Sequence, residues 1–274
     1  MLISLGKNLN TGYSFDYLVK MGGHTLIAGI TGYGKTNEVN LMLYQMAKNS
    51  KIQLVLCNAA GKADYIQWLP RASAVAVGVK ATDNAVDTLL DIMDTRYRDL
   101  LPAGIKQGMT PAMARELALS GSRLVEISDD MPLLVLVIDE FVQYLFASKK
   151  NVTKLMTLIT LSRAAGMLVI LANQRPSHEV VPTQIRENMP FKICFALDRF
   201  GAAMMFGTQA DEIPLEELNI PGQGYGIVDG ERQAFPFIAP ECNELVVGRK
   251  AIQTEGLRKE IKGIDWYKDD GLAA

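Results

Sequence analysis

The sequence predicts an α/β fold with a mainly parallel central sheet flanked by helices. The unbroken apolar runs Leu133 to Ile138 and Met167 to Ala172 are expected of strands covered on both faces. Other stretches carry apolar residues at three- and four-residue spacing, as in Val39, Met42, Leu43 and Met46, which marks amphipathic helices. The two patterns alternate along the chain, the signature of βαβ units.

Thr25 to Ala28 is a short apolar strand that runs into a glycine-rich stretch, and the chain leaves that stretch on the Val39 to Met46 helix. Ile52 to Cys57 is a second strand and Ser73 to Val79 a third. Thr82 or Asp83 then caps a long helix with Val86, Leu89, Leu90, Met93 and Tyr97 on one stripe. The strand Leu133 to Ile138 is bounded by Pro132 and Asp139, and a helix over Val152 to Ala165 repeats the stripe. Met167 to Ala172 and Lys192 to Leu197 complete the strands. Pro102 to Asp130 reads as an excursion with a helical piece at Pro111 to Leu119. The pattern becomes irregular after Gly230, and Gly248 to Lys262 has a basic helical character. We therefore expect one domain over residues 1–235 and a partly helical tail over 236–274.

With 49% apolar and 21% charged residues in a chain of 274, the composition excludes a disordered or collagen-like protein. The 28 Lys and Arg against 30 Asp and Glu leave a formal charge of −2, so whole-chain charge does not advertise a polyanion partner. Cys57, Cys194 and Cys242 form no CxxC pair, which argues against a disulfide framework or cysteine zinc site and fits a cytoplasmic protein. His24 and His178 are too few for a histidine-rich metal cage, and no GxSxG elbow supplies a nucleophile for a triad. No apolar run reaches the roughly 18 residues of a membrane helix. The expectation is no direct membrane insertion, with any targeting or membrane association supplied by a partner protein.

Gly29-Ile30-Thr31-Gly32-Tyr33-Gly34-Lys35-Thr36 fits GxxxxGK[ST] in full, after a strand and opening a helix. In that setting the backbone N–H groups of Thr31 to Thr36 wrap nucleotide phosphates at a helix N-terminus. Lys35 reaches the β- and γ-phosphates, and Thr36 sets its hydroxyl on Mg²⁺. A carboxylate from another strand end must complete the metal site, and Asp139 meets that need. Its neighbour Glu140 suits polarising the attacking water. By itself an Asp-Glu pair there is also a favourable helix N-terminal charge. Gln174 lies just past a strand at the carboxyl edge of the sheet, where ligands of open α/β folds sit. Arg163 closes a helix, and pattern alone leaves open whether it complements the helix dipole or meets a γ-phosphate.

Taken together these residues resemble the FtsK/SpoIIIE family of hexameric DNA translocases over roughly Leu5 to Asp229. The resemblance rests on Met21 to Thr36, Met93 to Tyr97, Val137 to Phe141 and, most specifically, Arg163-Ala164-Ala165-Gly166 leading to Ala172-Asn173-Gln174-Arg175-Pro176. It implies a RecA-like P-loop NTPase fold, ATP and Mg²⁺ as ligands, double-stranded DNA as the moved substrate and a homo-oligomeric, hexameric ring. It also implies that Arg163 acts in trans on the neighbouring subunit's γ-phosphate and that Gln174 senses nucleotide state. In such a ring only channel-facing loops touch DNA, so local patches such as Arg175, Lys192 and Arg199 are compatible with a slightly acidic chain.

The departures narrow the expectation. Asn58-Ala59-Ala60-Gly61-Lys62 stands where relatives carry Asp-Pro-Lys, and Asp198 to Met205 lacks their Ser/Arg-rich character. Only 28 residues precede Gly29 and 44 follow Gly230. That length suggests a stand-alone motor core of the kind found in mobile elements, plasmids or phages. Motors of type VII protein secretion share the same core motifs and are the alternative.

Overall fold

A computed structural model of the chain describes residues 1–101, 108–120, 124–174, 181–215, 218–228, 233–261 and 263–264. The parallel strands are β3 (Thr25–Ala28), β4 (Ile52–Asn58), β5 (Ala74–Val77), β6 (Leu133–Asp139), β7 (Met167–Asn173) and β8 (Phe191–Cys194). They lie in the order β8-β3-β7-β6-β4-β5. Four antiparallel strands continue the sheet beyond β8: β1 (Leu2–Asn8), β2 (Ser14–Leu18), β9 (Gln223–Ile227) and β10 (Phe235–Ile238). Their order is β2-β1-β10-β9, with β9 against β8.

Both faces of the parallel half are covered, which is why its strands read as continuous apolar runs. Along β6, Leu134, Leu136 and Ile138 point to one face and Leu133, Val135 and Val137 to the other. On the first face lie α2 (Val79–Asp99), α4 (Phe141–Ala147) and α5 (Lys149–Leu161), through residues such as Leu89, Met93, Phe141, Leu155 and Leu158. The opposite face is covered by α1 (Lys35–Met46), Trp68, the aromatic residues of the β1–β2 hairpin and α8 (Glu244–Gln253). The segment after residue 235 thus supplies a sheet strand and a covering helix; its last ten residues, 265–274, lie outside the described residues. The helix α3 (Pro111–Ser120) packs on α2, with Arg115 and Asp94 paired at 3.3 Å.

Several expected boundaries move. The long helix begins at Val79 with Gly78 as N-cap, so Thr82 caps nothing; it returns its hydroxyl to the Gly78 carbonyl at 2.9 Å. The strand before it is correspondingly shorter than Ser73 to Val79. The helix expected at Val152 to Ala165 starts at Lys149, where Ser148 accepts the Lys150 N–H at 3.1 Å, and ends at Leu161. Residues 162–166 are a turn, held by the buried Arg96, which donates to the carbonyls of Ala165 (2.8 Å), Gly166 (3.2 Å) and Pro132 (2.9 Å). Lys192 lies half-buried in β8, which ends at Cys194 rather than Leu197.

Buried His24, just before β3, ties this layer to the sheet. Its Nε2 donates to the Ile159 carbonyl at 2.9 Å and its Nδ1 accepts the Val169 N–H at 3.0 Å. Burial pulls its pKa from 6.5 to about 4, partly opposed by the bond to Ile159.

Candidate functional site

The phosphate loop lies where the sequence requires, between β3 and α1, at the carboxyl edge of the parallel strands. Its position is fixed by backbone bonds to two neighbouring strand ends: Gly29 N–H to the Asn173 carbonyl (3.4 Å) and Ile30 N–H to that of Ala196 (3.0 Å). Gly34 has φ +120, and a Cβ there would lie 3.1 Å from the Phe195 ring and 3.2 Å from the Gly222 nitrogen. Only glycine satisfies both the dihedral and the close approach.

Beneath the loop the chain gathers the charges that the sequence assigned to catalysis. Lys35 forms a buried ion pair with Asp139, and its Nζ lies 3.3 Å from Glu140 Oε1. Lys35 is 6% and Asp139 1% exposed, so the pair is shielded from water and each charge depends on the other. The Glu140 N–H donates to Asp139 Oδ1 at 2.9 Å, and Glu140 Oε2 accepts the Gln174 N–H at 3.3 Å. Among the described residues, Glu140 Oε1 has no hydrogen-bond donor. Glu140 is also the one described non-glycine residue in the left-handed region, at φ 53 and ψ 40. Such a conformation costs about 1–2 kcal/mol and persists where the surroundings over-determine it. Here it turns the chain out of β6 into α4 and directs the carboxylate at Lys35.

The structure thus brings Lys35, Asp139, Glu140 and Gln174 together, with Thr36 on the first turn of α1. Arg163 stands apart from them. It lies before the amino end of β7, whereas Gln174 follows its carboxyl end, and seven strand residues separate the two by roughly 20 Å. Its exposed side chain runs over Gly22 and does not line this chain's own nucleotide cleft. Arg199 begins α7 (Arg199–Phe206) and pairs with Asp211 at 2.8 Å. Arg175 and His178 lie outside the described residues, as does Lys262.

Tyr65 is a member that sequence reasoning missed. Its buried hydroxyl donates to Asp139 Oδ2 at 3.2 Å, so both carboxylate oxygens are engaged. Burial first, and then the Asp139 charge, push the phenol pKa well up, keeping it a donor. The loop carrying Tyr65 is ordered by Asn58, which donates to Asp64 Oδ2 at 2.8 Å and accepts the Ala60 and Lys62 N–H groups. Burial and the Asp139 charge raise the Asp64 pKa. Asn58 therefore organises this segment, and Lys62 itself is exposed. No local signal marked Tyr65, because it is distant from Asp139 in sequence.

A cleft of about 570 Å³ opens over the loop, lined by Thr31, Gly32, Lys35, Thr36 and Gln174 and, on its far side, by Pro221, Gly222, Ala239 and Glu241. A glycine cradle at a helix N-terminus suits an anion, and oxygen donors from a threonine and a carboxylate suit a hard cation such as Mg²⁺. Glu140 Oε1, in ion-pair range of Lys35 but accepting no hydrogen bond among the described residues, suits a group that takes up a proton or a hydrogen bond when Lys35 moves. Fold and site together define a P-loop ATPase.

The FtsK/SpoIIIE family model matches residues 1–178, and the chain belongs to that family. It is 29% identical over 226 residues to the DNA translocase FtsK of Tropheryma whipplei, which covers 76% of this chain and 30% of that protein. With the DNA translocase FtsK of Chlamydia pneumoniae it shares 32% identity over 198 residues, 70% of this chain and 24% of the relative. The chain therefore spans 24% to 30% of these relatives' length. Among solved structures, the cytoplasmic domain of the Thermomonospora curvata type VII secretion ATPase EccC superposes with a TM-score of 0.72 at 20% identity, over 97% of this chain and 32% of that one. The pCW3 conjugation coupling protein TcpA does so with a TM-score of 0.70 at 19% identity, over 92% and 70% respectively. Among the described residues, no helix is long and apolar enough to cross a membrane.

Proposed function

We propose that this chain hydrolyses ATP and uses the turnover to drive double-stranded DNA through a ring of copies, six in number by family resemblance, in the cytoplasm. The observation that carries the reading is the buried junction of Lys35 with Asp139 and Glu140 under an open glycine cradle. Without nucleotide, Lys35 sits in ion-pair range of both acids and offsets part of their charge. Arriving phosphates compete for the ammonium, and Lys35 turns to them while Tyr65 retains Asp139 Oδ2. Thr36 and Asp139 would hold Mg²⁺, which when bound supplies charge neutralisation at the β- and γ-phosphate oxygens. Glu140, steadied through Oε2 by the Gln174 N–H, accepts the proton of the attacking water at Oε1. Gln174 joins Glu140 to the end of β7, which suits a role in sensing nucleotide state. Arg163 completes the charge stabilisation in the next subunit's cleft.

DNA is favoured over protein as the substrate because the relatives at 29% and 32% identity are DNA translocases, whereas the secretion ATPase is similar at 20%. ATPase activity should rise several-fold with duplex DNA and vanish in Lys35→Ala. Glu140→Gln should bind ATP without turning it over. Mixed rings of Arg163→Ala and Glu140→Gln subunits should regain activity at sites combining an intact Glu140 with a neighbour's Arg163. No response to any duplex overturns the DNA reading, stimulation by a peptide substrate instead favours the protein-moving alternative, and verified mixed rings without recovery overturn the trans role of Arg163.

A further inference from the structure

The cleft has a second end that the phosphate chemistry does not use. Its wall is built from two turns remote in sequence, one before β9 and one after β10, and three backbone or side-chain links lock that wall to the phosphate loop and α1. Gly222 donates its N–H to the Tyr33 carbonyl at 3.0 Å, and its own carbonyl accepts the Ala239 N–H at 2.8 Å, which joins the two turns. Asn37, one residue past Thr36, then uses both ends of its amide: Nδ2 donates to the Pro240 carbonyl at 2.9 Å and Oδ1 accepts the Cys242 N–H at 2.6 Å. These two bonds grip the backbone on either side of Glu241 and leave its side chain to line the cleft.

We propose that Glu241 reads the ribose of the bound nucleotide and that Asn37 is the positioning residue that holds it there. The inference rests on the ATPase reading above and adds the recognition of the nucleoside. Among the described residues, Glu241 is the one charged side chain on this wall. An ionised carboxylate only accepts hydrogen bonds, and it repels phosphate, so it favours the orientation that puts phosphates on the glycine cradle and hydroxyl donors beside it. The clip fixes which donors these are. Because Asn37 sits on the first turn of α1 beside Thr36, Glu241 is held next to the phosphate cradle, where the sugar follows the phosphates.

The test is titration calorimetry on the full chain with ADP, 2′-deoxyADP, 3′-deoxyADP and inosine diphosphate, with thermal melts to verify folding. Wild type should bind ADP about tenfold more tightly than at least one deoxy analogue, the magnitude of one charge-assisted hydrogen bond near solvent. Glu241→Ala should bring that ratio close to one, and Glu241→Gln should keep part of it through its amide oxygen. Asn37→Ala should reproduce the loss, and the double variant should be no weaker than Glu241→Ala, since Asn37 acts through Glu241. An unchanged deoxy ratio in Glu241→Ala, or an effect confined to inosine diphosphate, overturns the assignment while leaving nucleotide binding intact. A folded wild-type chain that binds none of these nucleotides overturns the ATPase reading as well.

Discussion

Lowering the pH should weaken the fold through His24 by an amount that can be worked out in advance. In the folded chain the ring is neutral, with Nε2 donating to Ile159 and Nδ1 accepting from Val169, and its pKa is pulled to about 4 by burial. In the unfolded chain it titrates near 6.5. The folded pKa lies below the unfolded one, so the neutral ring's contribution is complete above pH 6.5 and is lost as pH falls toward 4. At 1.36 kcal/mol per pKa unit, the full loss is about 3 kcal/mol, and about 2 kcal/mol of it has gone by pH 5. That is a sizeable part of the ordinary 5–15 kcal/mol stability of a domain. The assay is urea unfolding from pH 8 to 5 for wild type and His24→Gln, whose amide cannot titrate. The stability of wild type relative to the variant should be constant above pH 7 and fall by about 2 kcal/mol by pH 5. Parallel curves across that range would refute the reasoning.

Glu38 should act with the opposite sign. Neither of its buried oxygens has a hydrogen-bond partner among the described residues, and burial raises its pKa well above 4.5. The fold therefore binds a proton that the unfolded chain releases, and stability declines as pH rises above about 4.5. Glu38→Gln should accordingly stabilise the chain more at pH 8 than at pH 5, read from urea midpoints. Tyr65→Phe should remove the donor to Asp139 Oδ2, costing about 1–2 kcal/mol of stability and lowering turnover with little change in the ATP KM, while raising the Mg²⁺ concentration needed for half-maximal activity. Gly22→Ala would place a Cβ 2.8 Å from Arg163 Cγ at a residue with φ +72. It should leave ADP binding unchanged and depress DNA-stimulated turnover toward that of Arg163→Ala.

The parallel half of the fold was legible because burial on both faces writes itself into local composition. Strands β3, β4, β6 and β7 are buried along their whole length and mostly apolar, and the helices between them carry their stripe at the expected spacing. The antiparallel half left a weaker trace. In β1 only Ile3 and Leu5 are fully covered, and β9 contains two glycines. β10 contains Pro236, whose missing N–H argues against a strand with neighbours on both sides. The structure accommodates it because the β1 pairing is confined to Phe237 and Ile238, while the Pro236 carbonyl still accepts the Leu9 N–H at 2.9 Å.

The same distinction governs the site. Residues whose role is set by the chain immediately around them could be found: the phosphate loop carries its geometry in its glycines, and Asp139 and Glu140 follow from the strand they terminate. Residues whose role is set by a partner far along the chain could not. Asp139 is held from one side by Lys35, 104 positions away, and from the other by Tyr65, 74 positions away. Asn37 and Cys242 are 205 positions apart, yet their bond decides where Glu241 stands. None of Tyr65, Asn37 or Glu241 belongs to a residue type or spacing that signals chemistry by itself, since a buried tyrosine, a helix asparagine and a surface glutamate are ordinary. Their significance comes from the sheet order, which lays β9 and β10 beside β8 and so folds a late part of the chain against the loop that follows β3. That order is a long-range property, and it makes the far wall of the cleft the place where members of one fold can differ in what they bind while keeping the same phosphate chemistry.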